Sequence, residues 1–378
     1  PPAGALALPR DDDRQPGAPR AVDAVLAQPW CVVAATPAGI RGMLKDRWPK
    51  QLFGHDLCDC LILDEASQMN LPEAVMAALP LKADGQLIVV GDHRQMAPIV
   101  KHDWAGERRR TFQEYRSYES LFETLLALDP PPPTIKFAES FRLHADMAEF
   151  LRREIYAQDG IAYHSLKRDT LPAYPQEDPF VAAVLAPDHP LVVVVHDEEG
   201  SQQRNPFERD LIAPVLRALA DRDTYALDPE HGLGVVVPHR AQRADLQERV
   251  PELTVRDALT GVVARSAVDT VERFQGDERD AILVSATESD REYLLATGDF
   301  LLDPRRLTVA LSRAKAKMVL VAARSVFGLF SADEETFANA QLWKNLLRRT
   351  CTVKLWEGER GGRRVEVWGN AASPGVAA

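Results

Sequence analysis

The apolar residues of this chain fall in short runs that close on turn-forming or acidic residues. That pattern constrains the fold more than any other feature. Cys31-Val32-Val33-Ala34-Ala35-Thr36 ends at Pro37 and Gly39, Cys60-Leu61-Ile62-Leu63 ends in Asp64-Glu65, and Leu87-Ile88-Val89-Val90 ends in Gly91-Asp92. Strand-sized apolar runs without alternation are the mark of strands buried on both faces, and parallel sheets bury both faces. Between the second and third runs, Pro72 to Leu79 reads as a short helix, which gives a β-α-β unit. Runs of the same kind recur at Leu191 to Val195, Val235 to Val237, Ala281 to Ser285 and Met318 to Val321. Asn205-Pro206-Phe207-Glu208 reads as a helix start, with Asn205 as N-cap, Pro206 as first helical residue and Glu208 as the reciprocal partner of a capping box. Pro214 is expected to kink or shorten that helix. The expected fold class is α/β with parallel sheets.

A length of 378 residues implies two or three domains. The stiff run Pro130 to Pro133 cannot sit inside a helix and marks the expected boundary. Residues 1–29, a Pro/Ala/Gly/Asp mixture without helical or strand period, read as a disordered linker. Two folded segments follow, 30–130 and 131–348, and then a C-terminal extension and tail over 349–378, in which Val365 and Val367 alternate like a hairpin strand. The start is polar, carries no signal peptide and has no initiator Met, so a piece of a longer protein is expected. No apolar run approaches the ~20 residues of a membrane-spanning helix. Four cysteines are too few to staple the chain, which points to a reducing compartment, the cytoplasm. A net charge of −11 argues against non-specific wrapping of nucleic acid and leaves room for a local basic groove.

Ligands of open α/β sheets bind outside the carboxyl ends of the strands, so the residues there are the first candidates. Asp64 and Glu65 leave a buried strand. Such an aspartate can hold Mg²⁺ and such a glutamate can polarise a water, although a solvated acidic pair has the same sequence. Gln95, in the loop after the next strand, can sense a phosphate. Cations come from the second half: Arg142 beside Phe141, Arg306 just before the segment Leu307 to Lys315, and Arg313 within it. The latter segment reads as a helix that would put both arginines on one face. Each arginine taken alone reads first as a surface ion pair. Cys58-Asp59-Cys60 has metal-like spacing without a second Cys or His pair and reads as part of a buried strand. Arg108-Arg109-Arg110 is a solvated loop or a phosphate contact.

Taken in order, these segments resemble the motifs of superfamily 1B helicases of the up-frameshift type. Asp64-Glu65-Ala66-Ser67-Gln68 looks like the Walker B box, and Gly91 to Pro98 is similar to motif III. Ser140 to His144 resembles the segment after the inter-domain hinge, and Val235 to Gln242 resembles motif IV. Thr270 to Glu278 looks like motif V, and Arg305 to Lys315 looks like motif VI. The resemblance covers roughly residues 30 to 348.

It implies two RecA-like parallel-sheet domains, the first one incomplete, and ATP with Mg²⁺ as cofactors. It also implies ATP-dependent translocation on single-stranded DNA or RNA, 5′-to-3′, with unwinding. Asp64 would hold Mg²⁺, Glu65 would be the catalytic base and Gln95 would contact the γ-phosphate. Arg142 and Arg313 would be arginine fingers. Phe141, Gln275, Gly276 and Glu278 would bind the nucleotide, Phe141 by stacking and Glu278 at the sugar. Thr36, Pro238, His239 and Thr270 would lie along the nucleic-acid strand. Thr308 and Ser312 stand where relatives carry Asn and Thr, and both keep a hydrogen-bonding group. The family's phosphate loop ends in Gly-Lys-Thr or Gly-Lys-Ser, and no Gly-Lys occurs in this chain. A phosphate-loop portion upstream of Pro1 is therefore expected as a partner in the same protein. A non-hydrolysing nucleic-acid-binding or scaffolding subunit is the alternative.

Overall fold

The computed structural model of the protein describes residues 20–51, 53–99, 118–173, 175–220, 231–261, 263–274 and 277–371. The chain separates into two units, Pro1–Thr134 and Ile135–Ala378.

The first unit runs α1 (Ala21–Leu26), α2 (Pro37–Arg47), β1 (Cys58–Leu63), α3 (Leu71–Ala78), β2 (Leu81–Val89) and α4 (Leu121–Leu126). β1 and β2 pair in parallel, with Leu61 opposite Leu87 and Leu63 opposite Val89. The crossover helix α3 starts on a full capping box. The Asn70 side chain accepts from the Glu73 N–H at 3.0 Å, and the Glu73 carboxylate accepts from the Asn70 N–H at 3.4 Å. Its buried Ala77 meets Leu63 and Ala66 in a small core closed by Met69, Leu121 and Phe122.

Three expectations are corrected in this unit. Within the stretch read as a linker over 1–29, α1 forms and buries Val22, and ion pairs Arg20–Asp46 and Arg47–Asp23 tie it to α2; residues 1–19 lie outside the described residues. Cys31 to Thr36 is not a strand, and Val32 is 90 % exposed. An apolar run becomes a strand only where a neighbouring edge takes its N–H and C=O groups, and among the described residues none does. Nor are β1 and β2 buried on both faces: Ile62 is 62 % exposed, and Leu87, Ile88 and Cys60 are exposed as well.

The second unit continues with α5 (Ala145–Glu154), α6 (Pro179–Val184), β3 (Leu191–His196), α7 (Pro206–Ala220), β4 (Leu233–Val237) and α8 (Arg240–Arg249). Then come β5 (Thr254–Arg256), β6 (Val263–Ser266), β7 (Val268–Thr270), β8 (Arg279–Ser285), α9 (Arg291–Leu301) and α10 (Pro304–Leu311). The last elements are β9 (Ala314–Ala323), α11 (Arg324–Phe327), α12 (Glu334–Asn345), β10 (Val353–Arg360) and β11 (Arg363–Gly369).

The seven-stranded sheet has the order β10-β11-β3-β9-β8-β4-β7. The five strands from β3 to β7 are parallel, and the β10–β11 hairpin, where Val365 and Val367 sit, extends the sheet antiparallel. Every residue of β3 and β4 is buried, as expected of central parallel strands. Valine and leucine side chains of these strands pack under α6, α7 and α8. The architecture is mixed α/β with a mostly parallel central sheet, the expected fold class.

Two readings differ here. The segment expected to be one helix from Leu307 to Lys315 is divided: α10 stops at Leu311 and β9 begins at Ala314, so Arg306 and Arg313 do not share a helix face. Sheet pairing overrides the helical period, because Ala314 and Lys317 sit opposite Arg279 and Ala281 of β8. At the start of α7, Asn205 caps as expected by accepting from the Glu208 N–H at 2.9 Å. The Glu208 carboxylate does not return to the cap; it turns inward to His196, Ser285 and Thr287. The helix then runs through Pro214 for 15 residues without ending early.

Candidate functional site

In the first unit the parallel pairing of β1 and β2 sets their carboxyl ends side by side. The Val90 N–H donates to the Leu63 carbonyl at 2.8 Å and the Ala66 N–H to the Val90 carbonyl at 2.9 Å. Gly91 lies so close to the neighbouring loop that a Cβ there would stand 2.9 Å from the Ser67 nitrogen. This packing brings Asp64 and Glu65 to the same edge as Asp92 and Gln95. Asp64 is exposed, and its Oδ1 accepts from the Glu65 N–H at 2.9 Å. Glu65 has φ +52°, a left-handed conformation uncommon for a non-glycine residue, and its carboxylate accepts from Gln68 Nε2 at 3.2 Å. Gln95 Nε2 donates to Asp92 Oδ2 at 2.9 Å. Asp92 thus positions Gln95, a role sequence reasoning did not assign.

Among the described residues no group of three or more His, Cys, Asp or Glu could hold a metal ion. One exposed carboxylate fits Mg²⁺, which keeps several waters and takes phosphate oxygens, better than a metal that needs an all-protein cage. Thr36 is exposed and caps α2, its Oγ1 accepting from the Gly39 N–H at 3.1 Å.

In the second unit, residues from three distant segments converge at the amino ends of β8 and β9. Arg142 Nε donates to Glu278 Oε2 at 2.8 Å, and Nη1 donates to the Ser312 carbonyl at 3.2 Å. Lys315 Nζ lies 2.7 Å from the other Glu278 oxygen. Hydrogen bonds from Lys315 and then Arg142 hold the Glu278 carboxyl down to about 2, well below the usual glutamate value. Arg313 is buried. Its Nε donates to the Val309 carbonyl at 3.1 Å and its Nη2 to Ser312 Oγ at 2.9 Å. Phe141, next to Arg142, is 75 % exposed and presents an aromatic face to solvent. Arg142, Glu278 and Arg313, three of the residues expected at the nucleotide, therefore meet in one cluster. Lys315 joins them unforeseen, its signal hidden by the helical reading of a strand. Gln275 and Gly276 lie outside the described residues, as do Arg108 to Arg110.

At the opposite ends of the strands a second group forms. Val237 and Thr270 are register partners in β4 and β7, so Pro238 and His239 leave the sheet beside Thr270. All three are partly exposed. The Thr270 N–H donates to Asp269 Oδ1 at 2.9 Å, and Asp269 pairs with Arg243 of α8. Arg306 of α10 forms an ion pair with Glu272, fastening the turn after β7 to α10. His239 Nε2 lies 2.7 Å from Glu288 Oε1, another contact with no warning in the sequence.

Residues 117–325 match the family model described as an AAA domain, a span of more than half the chain. The chain is 26 % identical over 300 residues to "DNA replication ATP-dependent helicase/nuclease JHS1" of Arabidopsis thaliana, aligned over 77 % of this chain and 20 % of that protein. It is 28 % identical over 294 residues to "Regulator of nonsense transcripts 1 homolog" of Drosophila melanogaster, covering 76 % and 22 %. To "DNA replication ATP-dependent helicase/nuclease DNA2" of Mus musculus it is 27 % identical over 312 residues, covering 77 % and 26 %. The chain thus spans 20 to 26 % of the length of these relatives.

Proposed function

The chain belongs to the AAA domain family, among the superfamily 1 helicases of the up-frameshift type, and on that premise we propose that it is part of an ATP-dependent translocase acting on single-stranded DNA or RNA, 5′-to-3′. One observation carries the proposal: within each unit, strand pairing and hydrogen bonds bring together the residues assigned to the nucleotide from segments apart in sequence. In the first unit these are Asp64, Glu65 and Gln95. In the second they are Arg142, Glu278 and Arg313.

In this reading Glu65 polarises the attacking water and Gln95 senses the γ-phosphate. Arg142 and Arg313 stabilise charge on the transferring phosphoryl group, and Phe141 stacks on the base. Asp64 would hold Mg²⁺, which when bound neutralises phosphate charge. Glu278 already serves two cations, one on each oxygen, and a contact with the nucleotide sugar would use a remaining lone pair of the same carboxylate. Thr36, Pro238, His239 and Thr270 grip the backbone of the strand, which gives little sequence preference. The exposed apolar residues of β1 and β2, with Val32 and Val33, are a surface on which a phosphate-loop portion of the same protein can pack. Four free thiols fit a reducing compartment such as the cytoplasm, and among the described residues no helix is long and apolar enough to cross a membrane.

The test is ATP hydrolysis by this chain joined to a phosphate-loop portion. Turnover that rises with oligothymidylate or oligouridylate and vanishes in Glu65→Gln supports the proposal. No turnover in that assembly would leave a non-hydrolysing nucleic-acid-binding subunit. Displacement of a block from only the 3′ end of a single strand would check the direction of travel.

A further inference from the structure

β8 ends in Ser285, and the chain then turns through Ala286-Thr287-Glu288. The Glu288 N–H donates back to the Ala286 carbonyl at 2.7 Å, which closes a γ-turn around Thr287 at φ +67°. A β-branched residue in this region is strained, and such strain persists only where the surroundings over-determine it. Here a buried polar cluster does so. Glu208 accepts from the Thr287 N–H at 2.9 Å, from the Ser285 hydroxyl and from His196 Nε2 at 3.1 Å. His196 Nδ1 accepts from the Glu198 N–H at 3.2 Å, so its proton sits on Nε2. Asn205 Nδ2 donates to the Thr287 carbonyl at 3.0 Å and to Glu198 at 2.9 Å. His196, Asn205, Glu208, Ser285 and Thr287 are all fully buried.

The product of this scaffolding is the placement of one carboxylate. Glu288 is fully buried, its Oε1 stands 2.7 Å from His239 Nε2, and its Oε2 has no hydrogen-bond partner among the described residues. A buried carboxylate with an unmatched oxygen is unfavourable for folding alone. A strained turn that presents it to a partly exposed histidine points to function instead.

We propose that Glu288 is a positioning residue for single-strand binding: it accepts the Nε2–H of His239 and fixes the imidazole where the strand passes, and the γ-turn at Thr287 aims it. The proposal rests on the reading of His239 as a strand contact. A ring held by a buried carboxylate loses little rotational freedom when the strand arrives, which favours binding.

The experiment uses the full chain, with ¹⁵N NMR of the His239 ring and binding of fluorescent oligothymidylate. In the unaltered chain the His239 signals should be those of a ring protonated at Nε2. Glu288→Ala should release the ring to mixed tautomers and weaken binding about tenfold, the scale of a charge-assisted hydrogen bond. His239→Ala should weaken binding comparably, and the double variant should be no weaker than His239→Ala. Should Glu288→Ala not fold, Glu288→Gln keeps the shape, and an altered ring signal with an intermediate affinity is then expected. An unchanged ring signal in both Glu288 variants, or losses that simply add in the double variant, would overturn the positioning role. Unaltered binding by His239→Ala would instead overturn the strand contact, and the proposal with it.

Discussion

Arg142 and Glu278, 136 residues apart in the chain, are joined by a 2.8 Å hydrogen bond, and Lys315 takes the other oxygen of the same carboxylate. The segment after the first unit, the turn before β8 and the start of β9 are thereby pinned to one another. One acid serves two cations, so changes at Glu278 act on Arg142 before they act on anything bound.

The first prediction follows from the charge. The folded Glu278 value, about 2, lies below its ordinary 4.5. The contribution to stability is therefore present above about 4.5 and is lost as pH falls through about 2. The side chain is 44 % exposed, so solvent screening limits that contribution to about 1 kcal/mol or less. Carboxyl-carbon NMR should find Glu278 still ionised at about pH 3, where free glutamate is protonated. A midpoint near the ordinary value would mean that the two cations do not hold it.

The second prediction concerns Arg313. Its guanidinium is buried against the Val309 carbonyl, Ser312 Oγ and the Asp277 carbonyl. In the protein with a phosphate loop, Arg313→Ala should lower kcat by ~10³-fold while nucleotide affinity changes much less, because an arginine finger acts on transition-state charge. Circular dichroism of the variant separates this from unfolding. Near-normal turnover in a folded variant would reduce Arg313 to a structural brace.

The fold is legible wherever a strand is buried by its own unit. β3, β4 and β8 carry apolar runs because both faces meet helices, and the runs announce them. Cys31 to Thr36 has the same composition and forms no strand, because composition does not say whether a partner edge is present. Leu307 to Leu311 has a helical period that on paper carries on through Arg313. Only the pairing of Ala314 with Arg279 shows that the period stops. At the site, acids and arginines at strand ends are readable from type and position. Lys315, Asp92 and Glu288 are not, because their roles come from neighbours distant in sequence or from a turn whose φ no motif encodes.

A third prediction is that the chain by itself hydrolyses ATP at no meaningful rate. It contains no Gly-Lys, so the amides and lysine that anchor the β- and γ-phosphates are missing from it. A steady phosphate-release signal from the purified chain, stimulated by single strands and abolished by Glu65→Gln, would refute this.

A fourth concerns the strand. Binding of oligothymidylate should weaken steeply as salt rises and depend little on base sequence, since backbone phosphates supply the contacts. Thr270→Ala should weaken binding to all sequences alike. Affinity indifferent to salt would contradict a backbone grip, and the more sharply because the chain carries a net charge of −11.

The fifth contrasts two glycines of the first unit. A Cβ at Gly91 would meet the Ser67 nitrogen at 2.9 Å, Phe122 Cδ2 at 3.0 Å and the Ala66 nitrogen at 3.4 Å. Two of these are backbone atoms of the loop that carries Asp64 and Glu65, and backbone cannot swing aside as a side chain does. Gly91→Ala must therefore push the strand ends apart, with an expected loss of about 1–3 kcal/mol on denaturant unfolding. The same displacement moves Asp92 and Gln95 away from Glu65, so turnover of the protein with a phosphate loop should fall beyond what lost stability explains. A Cβ at Gly42, on the exposed side of α2, would meet nothing within 4 Å. There Ala removes unfolded-state freedom and improves helix propensity, and Gly42→Ala should stabilise by about 0.5–1 kcal/mol with turnover unchanged. Equal responses at the two positions would show that close contact between the two strand-end loops does not set the spacing of Glu65 and Gln95.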